Sequence, residues 1–242
     1  MDNKACFAVI AAEEQELAGV RDFLTDPQDV DGPAGCRFLT GEADGVKVVA
    51  MQCGIGKVNA AIGTQVMIDL FHPDALVNIG SAGGVGDGLS VYDIVVAEKT
   101  VQHDMDVTGL GYAPGVVPGY DSPFLEADPI LRDIAVASGR AEELHVHTGT
   151  VASGDAFVSD PELKRFITEQ FGALCAEMEG AAVAQTCVRN NVPWTVIRAI
   201  SDNGDDAAAV SYADFSAQAS IAAVRLMRHM ITTWAAYRKE LQ

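Results

Sequence analysis

Apolar positions along the chain fall into short continuous runs that alternate with stretches of helical periodicity. Residues 57–71 carry apolar side chains at the i, i+4 spacing of a helix, and these are Val58, Ile62, Val66 and Leu70. Five runs have the length and composition of buried strands: 6–11, 75–79, 93–101, 145–152 and 193–201. Strand–helix alternation without a linker predicts a single α/β domain over residues 1–242, with a mixed, largely parallel β-sheet flanked by α-helices.

Turn and cap residues mark the ends of further elements. The stretch GEADG joins two strand-like runs, 36–40 and 46–53, and predicts a hairpin. Asp-Pro pairs at 128–129 and 160–161 each predict a helix start, with an N-cap followed by a proline in the first turn.

Two more helices are predicted from weaker signals. Residues 13–24, after the first strand, can continue as a helix. The last helix is expected to start at the capping-box-like stretch 211–214. Its apolar side chains share one face, which predicts a helix that covers the core: Ala223, Met227, Met230, Ile231 and Trp234.

Composition limits the partners of the protein. The chain has 16 Lys+Arg against 34 Asp+Glu, a net charge of −18, and no basic patch long enough to follow phosphates. We therefore expect no nucleic-acid partner and no membrane partner. The five cysteines are scattered without disulfide or zinc-finger spacing. With no signal peptide and no apolar stretch of ~20 residues, a cytoplasmic protein is expected.

Residues 174–206 read as strand, helix, strand, and they carry acidic side chains at both ends. Glu177 and Glu179 flank Met178 where the first strand gives way to the helix, and the second strand leads into Asp202. Ligands of α/β sheets bind beyond the carboxyl ends of strands, so both acidic ends lie where chemistry is expected. Two plainer interpretations stay open, namely Asp202 as a helix cap and Glu179 as a first-turn residue favoured by the helix dipole.

Motifs for phosphate, dinucleotide and metal binding are incomplete. The residues around Gly54-Ile55-Gly56-Lys57 lack the spacing of a P-loop, and the glycines at 80–88 do not make G-x-G-x-x-G. His103-Asp104-x-Asp106 and His145-x-His147 have metal-like spacing, but neither has the third ligand nearby. We expect no metal and no organic cofactor.

Six short stretches resemble the 5′-methylthioadenosine/S-adenosylhomocysteine nucleosidases, within the wider purine nucleoside phosphorylase superfamily. They are AAEEQE at 11–16, CGIGKVNAA at 53–61, NIGSAGG at 78–84, SGDAFV at 153–158, EMEGAA at 177–182 and RAISD at 198–202. They occur in the family's order and span nearly the whole chain. The resemblance implies the nucleoside phosphorylase/nucleosidase fold. It also implies hydrolysis of both thioether nucleosides to adenine and a 5′-thioribose, in methionine and adenine salvage.

Cleavage of a purine N-glycosidic bond needs an acid and a base. Adenine leaves poorly as an anion, so an acid protonates it at N7, and a base deprotonates the attacking water. Asp202 suits the acid, since burial at the end of an apolar strand would raise its pKa. The resemblance gives that role to Asp202, in the Ser201-Asp202 pair, and makes Glu16 the base. A plain acidic first turn is the other interpretation of Glu16.

The resemblance assigns further roles around the substrate. Glu179 would hold the ribose 2′- and 3′-hydroxyls, and Met178 would pack against the sugar. Arg198 would orient the carboxylates around the water, which Ser81 helps to hold. Phe157 would stack on adenine, with plain core packing as its other interpretation. The remaining substrate-side residues are expected to be Ile55, Ala82, Gly83, Val158, Glu177 and Ser201.

Residues 103–123 form a long Gly/Pro-rich segment with an apolar tip, which is too long for an idle connection. We expect it to be an interface element of a homodimer. In the resembling family this segment crosses a two-fold axis and closes the neighbour's 5′-alkylthio pocket, beside the residue that matches Ile55. Leu110 and Pro118 hold the matching positions, and Leu110 departs from the aromatic residue of many family members.

Three other functions stay open. Phosphorolysis would need arginines and backbone N–H groups around a phosphate, whereas the N-terminal turn carries three glutamates. A hydrolase for another 5′-modified nucleoside, such as futalosine, is compatible with Asp202. A non-catalytic nucleoside-binding protein would be indicated by the loss of Glu16 or Asp202, and both are present.

Overall fold

Each of the five predicted apolar runs becomes a strand of one ten-stranded sheet. The computed structural model describes residues 4–204 and 208–240, with the backbone alone at 209–211, 213 and 214. The strands are β1 (Cys6–Ala11), β2 (Thr25–Asp31), β3 (Arg37–Ala43), β4 (Val46–Gln52), β5 (Ala75–Gly84), β6 (Ile94–Gln102), β7 (Phe124–Glu126), β8 (Val146–Ser153), β9 (Ala173–Glu177) and β10 (Trp194–Asp202).

Helices pack on both sides of this sheet. They are α1 (Lys57–Phe71), α2 (Pro129–Ala141), α3 (Pro161–Phe171), α4 (Gly180–Asn190) and α5 (Ala208–Glu240). Short 3₁₀ turns occupy Glu14–Leu17, Arg21–Phe23, Pro33–Gly35 and Thr108–Leu110. Within the described ranges, every helix is too short or too polar to cross a membrane.

The sheet is mixed and largely parallel, as predicted. Strand β1 lies between β4 and β5 and is parallel to both. Strand β10 is parallel to β5 and antiparallel to β6. Strands β6, β8 and β9 then lead back to β5, so five strands close on themselves in a barrel-like ring. This closure brings the ends of β5, β9 and β10 to one place.

Alternate residues of β1 supply two hydrophobic layers. Phe7 and Val9 pack with α5, where the rings of Phe7 and Trp234 meet edge to face, 5.1 Å between centroids. Ala8 and Ile10 pack on the other face with α1 and α4. Both faces are covered, which explains why this strand reads as a continuous apolar run rather than an alternating one.

Several local predictions are confirmed. Helix α1 has the predicted bounds, and β3 and β4 form the predicted hairpin. Asp128 and Asp160 are N-caps, whose carboxylates accept hydrogen bonds from the N–H groups of Leu131 and Glu162, each at 2.9 Å. These signals succeed because caps and turns depend on neighbouring residues alone.

Three predictions of element bounds are wrong. Residues 13–24 form two 3₁₀ turns rather than a helix, because the inward-pointing side chain of Glu16 bonds back to the start of the turn. Helix α5 begins at Ala208, before the predicted start at Ser211, within an alanine-rich stretch of high helix propensity. Strand β5 continues five residues beyond its predicted end at 79. Strands β2 and β7 carry no apolar run, and the sequence pattern does not predict them.

Candidate active site

A cavity of about 170 Å³ lies where the ends of β5, β9 and β10 meet the turn after β1. Its walls are Ala12, Glu13, Glu16, Ile55, Ser81, Ala82, Gly83, Ala156, Phe157, Val158, Ala176, Glu177, Met178, Glu179, Ser201, Asp202 and Tyr212. Most of the predicted site residues therefore meet here. Arg198 lies behind this wall, and Leu110 and Pro118 lie away from it. A larger open groove of about 1230 Å³ borders the cavity at Glu13 but runs over the surface of β2–β4.

Two glycines of β5 allow charged side chains to approach the strand. A Cβ on Gly80 would lie 2.7 Å from Glu16 Oε1 and 2.9 Å from Arg198 Nη1. A Cβ on Gly83 would lie 2.8 Å from Asp202 Oδ1. Any larger residue at either position would displace a carboxylate, so the glycines of the NIGSAGG stretch determine the width of the site.

Glu16 is a buried carboxylate with four hydrogen-bond donors. Its Oε2 accepts from the N–H groups of Ala12 and Glu13, each at 3.0 Å. Its Oε1 accepts from the Ser81 N–H at 2.8 Å and from the Ser81 hydroxyl at 3.1 Å. These donors fill the roughly four lone-pair sites of a carboxylate. The Ser81 hydroxyl alone among the four can rotate away, so it marks the position that a bound water can take.

Arg198 on β10 is fully buried and binds Glu177 at the end of β9. Its Nε donates to Glu177 Oε2 at 3.1 Å, its Nη2 donates to the same oxygen, and Nη2 also donates to Asn78 Oδ1 at 2.6 Å. Glu177 accepts further bonds from the Ser153 hydroxyl and from two N–H groups at the start of α4. Burial opposes ionisation, but Arg198 and these donors outweigh it and hold the pKa of Glu177 below its usual value.

Glu179 is equally buried but has fewer donors. Its Oε1 accepts from the Gly56 N–H at 2.8 Å, and its Oε2 lies 3.8 Å from Arg198 Nη2. Burial and the negative charge of Glu177 raise the pKa of Glu179 to about 7, against the opposing effect of Arg198. Glu179 therefore takes up a proton near neutral pH, where Glu177 stays ionised.

Asp202 faces the cavity from the end of β10 and is buried. Its Oδ1 accepts from the Gly204 N–H at 2.8 Å, and its Oδ2 accepts from the Ser201 hydroxyl at 2.9 Å. The strand register shifts between Ile200 and Asp202. Such a shift re-aims a side chain at the end of a strand, and here it accompanies a carboxyl group that points into the cavity.

The wall beyond Asp202 is apolar and aromatic. Val158 and Ala82 are buried, whereas Phe157 is 45% exposed, so plain core packing does not describe Phe157. The rings of Phe157 and Tyr212 meet edge to face at 5.9 Å. The Tyr212 hydroxyl donates to the Glu13 carboxylate, and burial together with this bond raises the pKa of Tyr212.

Some residues that build the site are missed by sequence reasoning. Ser153, Asn78 and Glu13 lie within the SGDAFV, NIGSAGG and AAEEQE stretches, and their place in those motifs is the signal that could have found them. Tyr212 lines the cavity without a comparable signal, because only folding brings it to the site.

The pair of histidines at 145 and 147 has an acidic neighbour that the sequence pattern does not show. Asp93 lies beside both histidines, with nitrogen–oxygen distances of 3.5 and 3.1 Å. Asp93 is 52 positions from His145 in the chain, and strand pairing of β6 with β8 brings them together. Across residues 4–204 and 208–240, no three or more His, Cys, Asp or Glu side chains are arranged to hold a metal ion.

Comparisons with known proteins agree with this geometry. The sequence profile of the Phosphorylase superfamily matches residues 7–233. A 5′-methylthioadenosine/S-adenosylhomocysteine nucleosidase of Geobacillus thermodenitrificans (strain NG80-2) is 41% identical over 93% of this chain and 95% of the relative. The nucleosidase of the same name from Neisseria meningitidis, solved with methylthio-immucillin-A, has a TM-score of 0.91 at 37% identity, over 94% of this chain and 99% of that one.

A second kind of relative is also similar. The futalosine hydrolase of Helicobacter pylori strain 26695 has a TM-score of 0.90 at 29% identity, over 94% of this chain and 97% of that one. Fold and site together therefore define an α/β protein of the phosphorylase superfamily. Within that superfamily, the chain belongs to the 5′-methylthioadenosine/S-adenosylhomocysteine nucleosidase family, as its six motifs predict.

Proposed function

We propose that the protein hydrolyses the N-glycosidic bond of 5′-methylthioadenosine and S-adenosylhomocysteine. The products are adenine plus 5-methylthioribose or S-ribosylhomocysteine. One observation carries the proposal: two buried carboxylates lie against strand β5, Glu16 beside Gly80 and Asp202 beside Gly83. Three residues of a strand span about 10 Å, which suits an acid and a base that act on opposite sides of one glycosidic bond.

Asp202 is the acid of this proposal, and it protonates adenine at N7 as the bond breaks. The Ser201 hydroxyl and the Gly204 N–H orient its carboxyl group. The aromatic face of Phe157 stacks on the base, and the backbone of Val158 reads its edge. Ala82 and Gly83 line the floor beneath it.

Glu16 is the base, and it deprotonates a water that takes the place of the Ser81 hydroxyl at Oε1. The two N–H groups at Oε2 keep the carboxylate in position while the proton moves. Glu179, in its ionised form, accepts hydrogen bonds from the ribose 2′- and 3′-hydroxyls, and Met178 packs against the sugar. Arg198 orients the group of carboxylates from behind the wall.

Charge favours water over phosphate as the nucleophile. Among the described residues of the cavity wall, none is lysine or arginine. Arg198 is already paired with Glu177 and is buried behind the wall. A phosphate dianion that entered the cavity would meet the carboxylates of Glu13 and Glu16, which repel it.

The likeness to a futalosine hydrolase favours a second candidate, in which the same bond is cleaved in another 5′-modified nucleoside. A substrate panel separates the two. Purified protein is given methylthioadenosine, S-adenosylhomocysteine and futalosine, with and without phosphate, and release of the base is followed. We expect adenine release from both thioether nucleosides that is indifferent to phosphate, with free 5-methylthioribose as the sugar product. Formation of 5-methylthioribose 1-phosphate would instead indicate a phosphorylase.

We further propose that the active unit is a homodimer whose partner covers the 5′ end of the cavity. Ile55, in the cavity wall, is 53% exposed, and Val58, in the first turn of α1, is 67% exposed. Ile62, one turn further, is also exposed, so the apolar stripe of α1 partly faces away from the core. Leu110 is 76% exposed, and Pro118 is exposed as well. Apolar surface of this extent is typical of a contact.

Leu110→Asp tests the homodimer, because a two-fold contact places the substitution in both interfaces at once. We expect a weaker dimer by light scattering and a raised KM for methylthioadenosine, with little effect on inhibitors that fill only the adenine site. A monomeric wild type, or a dimeric variant with unchanged KM, would contradict the proposal.

The cytoplasm is the proposed compartment, and methionine and adenine salvage the proposed pathway. All five cysteines are free thiols, as a reducing compartment allows. Burial raises the pKa of Cys53 to about 12, so its thiol stays protonated and inert. Fractionation of cells that express the tagged protein is the test, and recovery with the membrane or secreted fraction would contradict it.

A further inference from the structure

We propose that Asp155 is a positioning residue, which holds the loop before α1 so that the Gly56 N–H binds the ribose-holding carboxylate of Glu179. The inference rests on the proposed function, since that function assigns the ribose to Glu179. Asp155 itself is exposed and is not part of the cavity wall.

The first observation is the way in which α1 begins. Its N-cap residue is Gly56, which has no side chain to bond the first N–H groups of the helix. The cap comes instead from a residue 98 positions further along the chain, since Asp155 Oδ1 accepts from the Lys57 N–H at 2.8 Å. Aspartate and asparagine are among the best N-cap residues, so this bond stabilises the start of α1 in one position.

The second observation is a brace that holds Asp155 in turn. Asp104 Oδ1 accepts from Lys57 Nζ at 2.5 Å, and Asp104 Oδ2 accepts from the Asp155 N–H at 2.9 Å. Burial opposes ionisation of Asp104, but Lys57 and the Asp155 N–H outweigh it and hold the pKa of Asp104 below its usual value. Lys57, Asp104 and Asp155 thus form a closed cycle that joins three segments of the chain.

This cycle acts on the site through Gly56. The Gly56 N–H donates to Glu179 Oε1 at 2.8 Å, and a Cβ on Gly56 would lie 3.2 Å from Asp155 Oδ1. Gly56 therefore lies between the Asp155 carboxylate and the Glu179 carboxylate. Its φ of +99° favours glycine, so the N–H can point at Glu179 without strain. Loss of the cap frees this peptide and removes the donor from Oε1.

The ionisable groups around Glu179 make the effect visible as a pH shift. Glu177 and Glu16 disfavour the negative charge of Glu179, and Arg198 favours it. The charge of Glu179 in turn helps to raise the pKa of the nearby Cys53 thiol. The Gly56 N–H stabilises the ionised form. Without that donor, the pKa of Glu179 rises, and the enzyme needs a higher pH to bind ribose.

Three variants of the full chain test the inference: Asp155→Ala, Asp155→Asn and Asp128→Ala. Asp128 is the matched control, since it caps α2 through a hydrogen bond of 2.9 Å and is not part of the cavity wall. In Asp155→Ala we expect KM for methylthioadenosine to rise about tenfold, because that is the effect expected from loss of one hydrogen bond to a charged group. We also expect a smaller change in kcat, unchanged binding of free adenine and an acidic limb of kcat/KM at higher pH. Asp155→Asn should restore most of the wild-type behaviour, because its amide oxygen can still accept from Lys57, and Asp128→Ala should change only stability.

Hydrogen exchange of the backbone amides of Gly56 and Lys57 gives a readout that needs no turnover. We expect faster exchange in Asp155→Ala and wild-type exchange in Asp128→Ala. Unchanged exchange or unchanged KM in Asp155→Ala would overturn the inference, and so would an equal loss of adenine binding. A wild type that releases no adenine would overturn the proposed function instead, while the exchange measurement would still test the cap.

Discussion

Glu177 and Glu179 are two residues apart and buried to the same degree, 7% and 6% exposed, yet their pKa values shift in opposite directions. Glu177 is surrounded by Arg198, the Ser153 hydroxyl and two N–H groups of the α4 start, and its pKa is lowered. Glu179 has the Gly56 N–H and a more distant arginine nitrogen, and its pKa is raised to about 7. Both side chains are buried, so two other factors make the difference: Glu177 has more donors, and its negative charge disfavours ionisation of Glu179.

The comparison separates two regions of the site. Glu177, Arg198, Asn78 and Ser153 bond with one another, and these bonds join β5, β8, β9 and β10. Glu179 keeps acceptor capacity for a ligand because fewer protein groups occupy it. A carboxylate that supports the site is satisfied by the protein, whereas one that binds substrate is left partly unsatisfied. Variants in each region should therefore fail in different ways.

The largest expected effect comes from a residue on the ligand side. Asp202→Asn should lose on the order of 10²–10⁴-fold in kcat, because an amide cannot protonate N7. Its free energy of unfolding should stay near that of the wild type, since the asparagine oxygen can still accept from the Gly204 N–H and the amide nitrogen can instead donate to the Ser201 hydroxyl oxygen. Adenine release and urea unfolding, measured on the same preparation, check both parts. Near-native turnover would remove Asp202 from the role of acid.

The next largest effect is on stability, from the supporting side. Glu177→Gln should lower the free energy of unfolding by roughly 3–5 kcal/mol, because Arg198 would be left buried without its main partner. Glu142→Gln is the matched control, since Glu142 pairs with Arg225 on the surface, and exposed pairs contribute about 0–1 kcal/mol. Urea unfolding compares the two variants. Equal losses would mean that the buried network does not support the fold.

The smallest effect is the pH dependence that Glu179 brings. Above its pKa of about 7 the carboxylate is ionised and accepts both ribose hydroxyls, so kcat/KM should fall about tenfold per pH unit below that value. Glu179→Gln should lower the plateau and abolish this acidic limb. In Glu177→Gln the limb should move to lower pH, because a negative neighbour is lost and Arg198 is released. An unchanged limb in Glu179→Gln would assign it to another group.

The raised pKa of Glu179 also makes the free energy of unfolding depend on pH. The native pKa of Glu179, about 7, lies above the unfolded value of about 4.3, so between these values the native state binds more protons. Glu179 therefore stabilises the fold least at the top of that window, and its contribution is lost as pH rises toward 7. Unfolding measured from pH 5 to 8 should show a shallower fall in Glu179→Gln than in the wild type.

The sequence by itself determined the features that depend on neighbouring residues. The caps at Asp128 and Asp160, the hairpin of β3 and β4 and the bounds of α1 follow from turn chemistry and periodicity. The α/β class follows from alternation of buried runs with helices. Because the carboxyl ends of strands gather ligands, the acidic residues at 177–179 and 202 are predicted near a site from their place in the pattern alone.

Only the tertiary structure decided how those residues share their partners. Nothing in EMEGAA distinguishes Glu177 from Glu179, and the difference arises because ring closure of the sheet brings Arg198 and Ser153 to the first of them. The turn at Glu14–Leu17 is short because Ser81, 65 positions from Glu16, draws the Glu16 side chain inward. Asp155 caps a helix that begins 98 positions earlier. Hydrogen bonds between distant segments form only when the chain has folded, so periodicity and local propensity do not predict them.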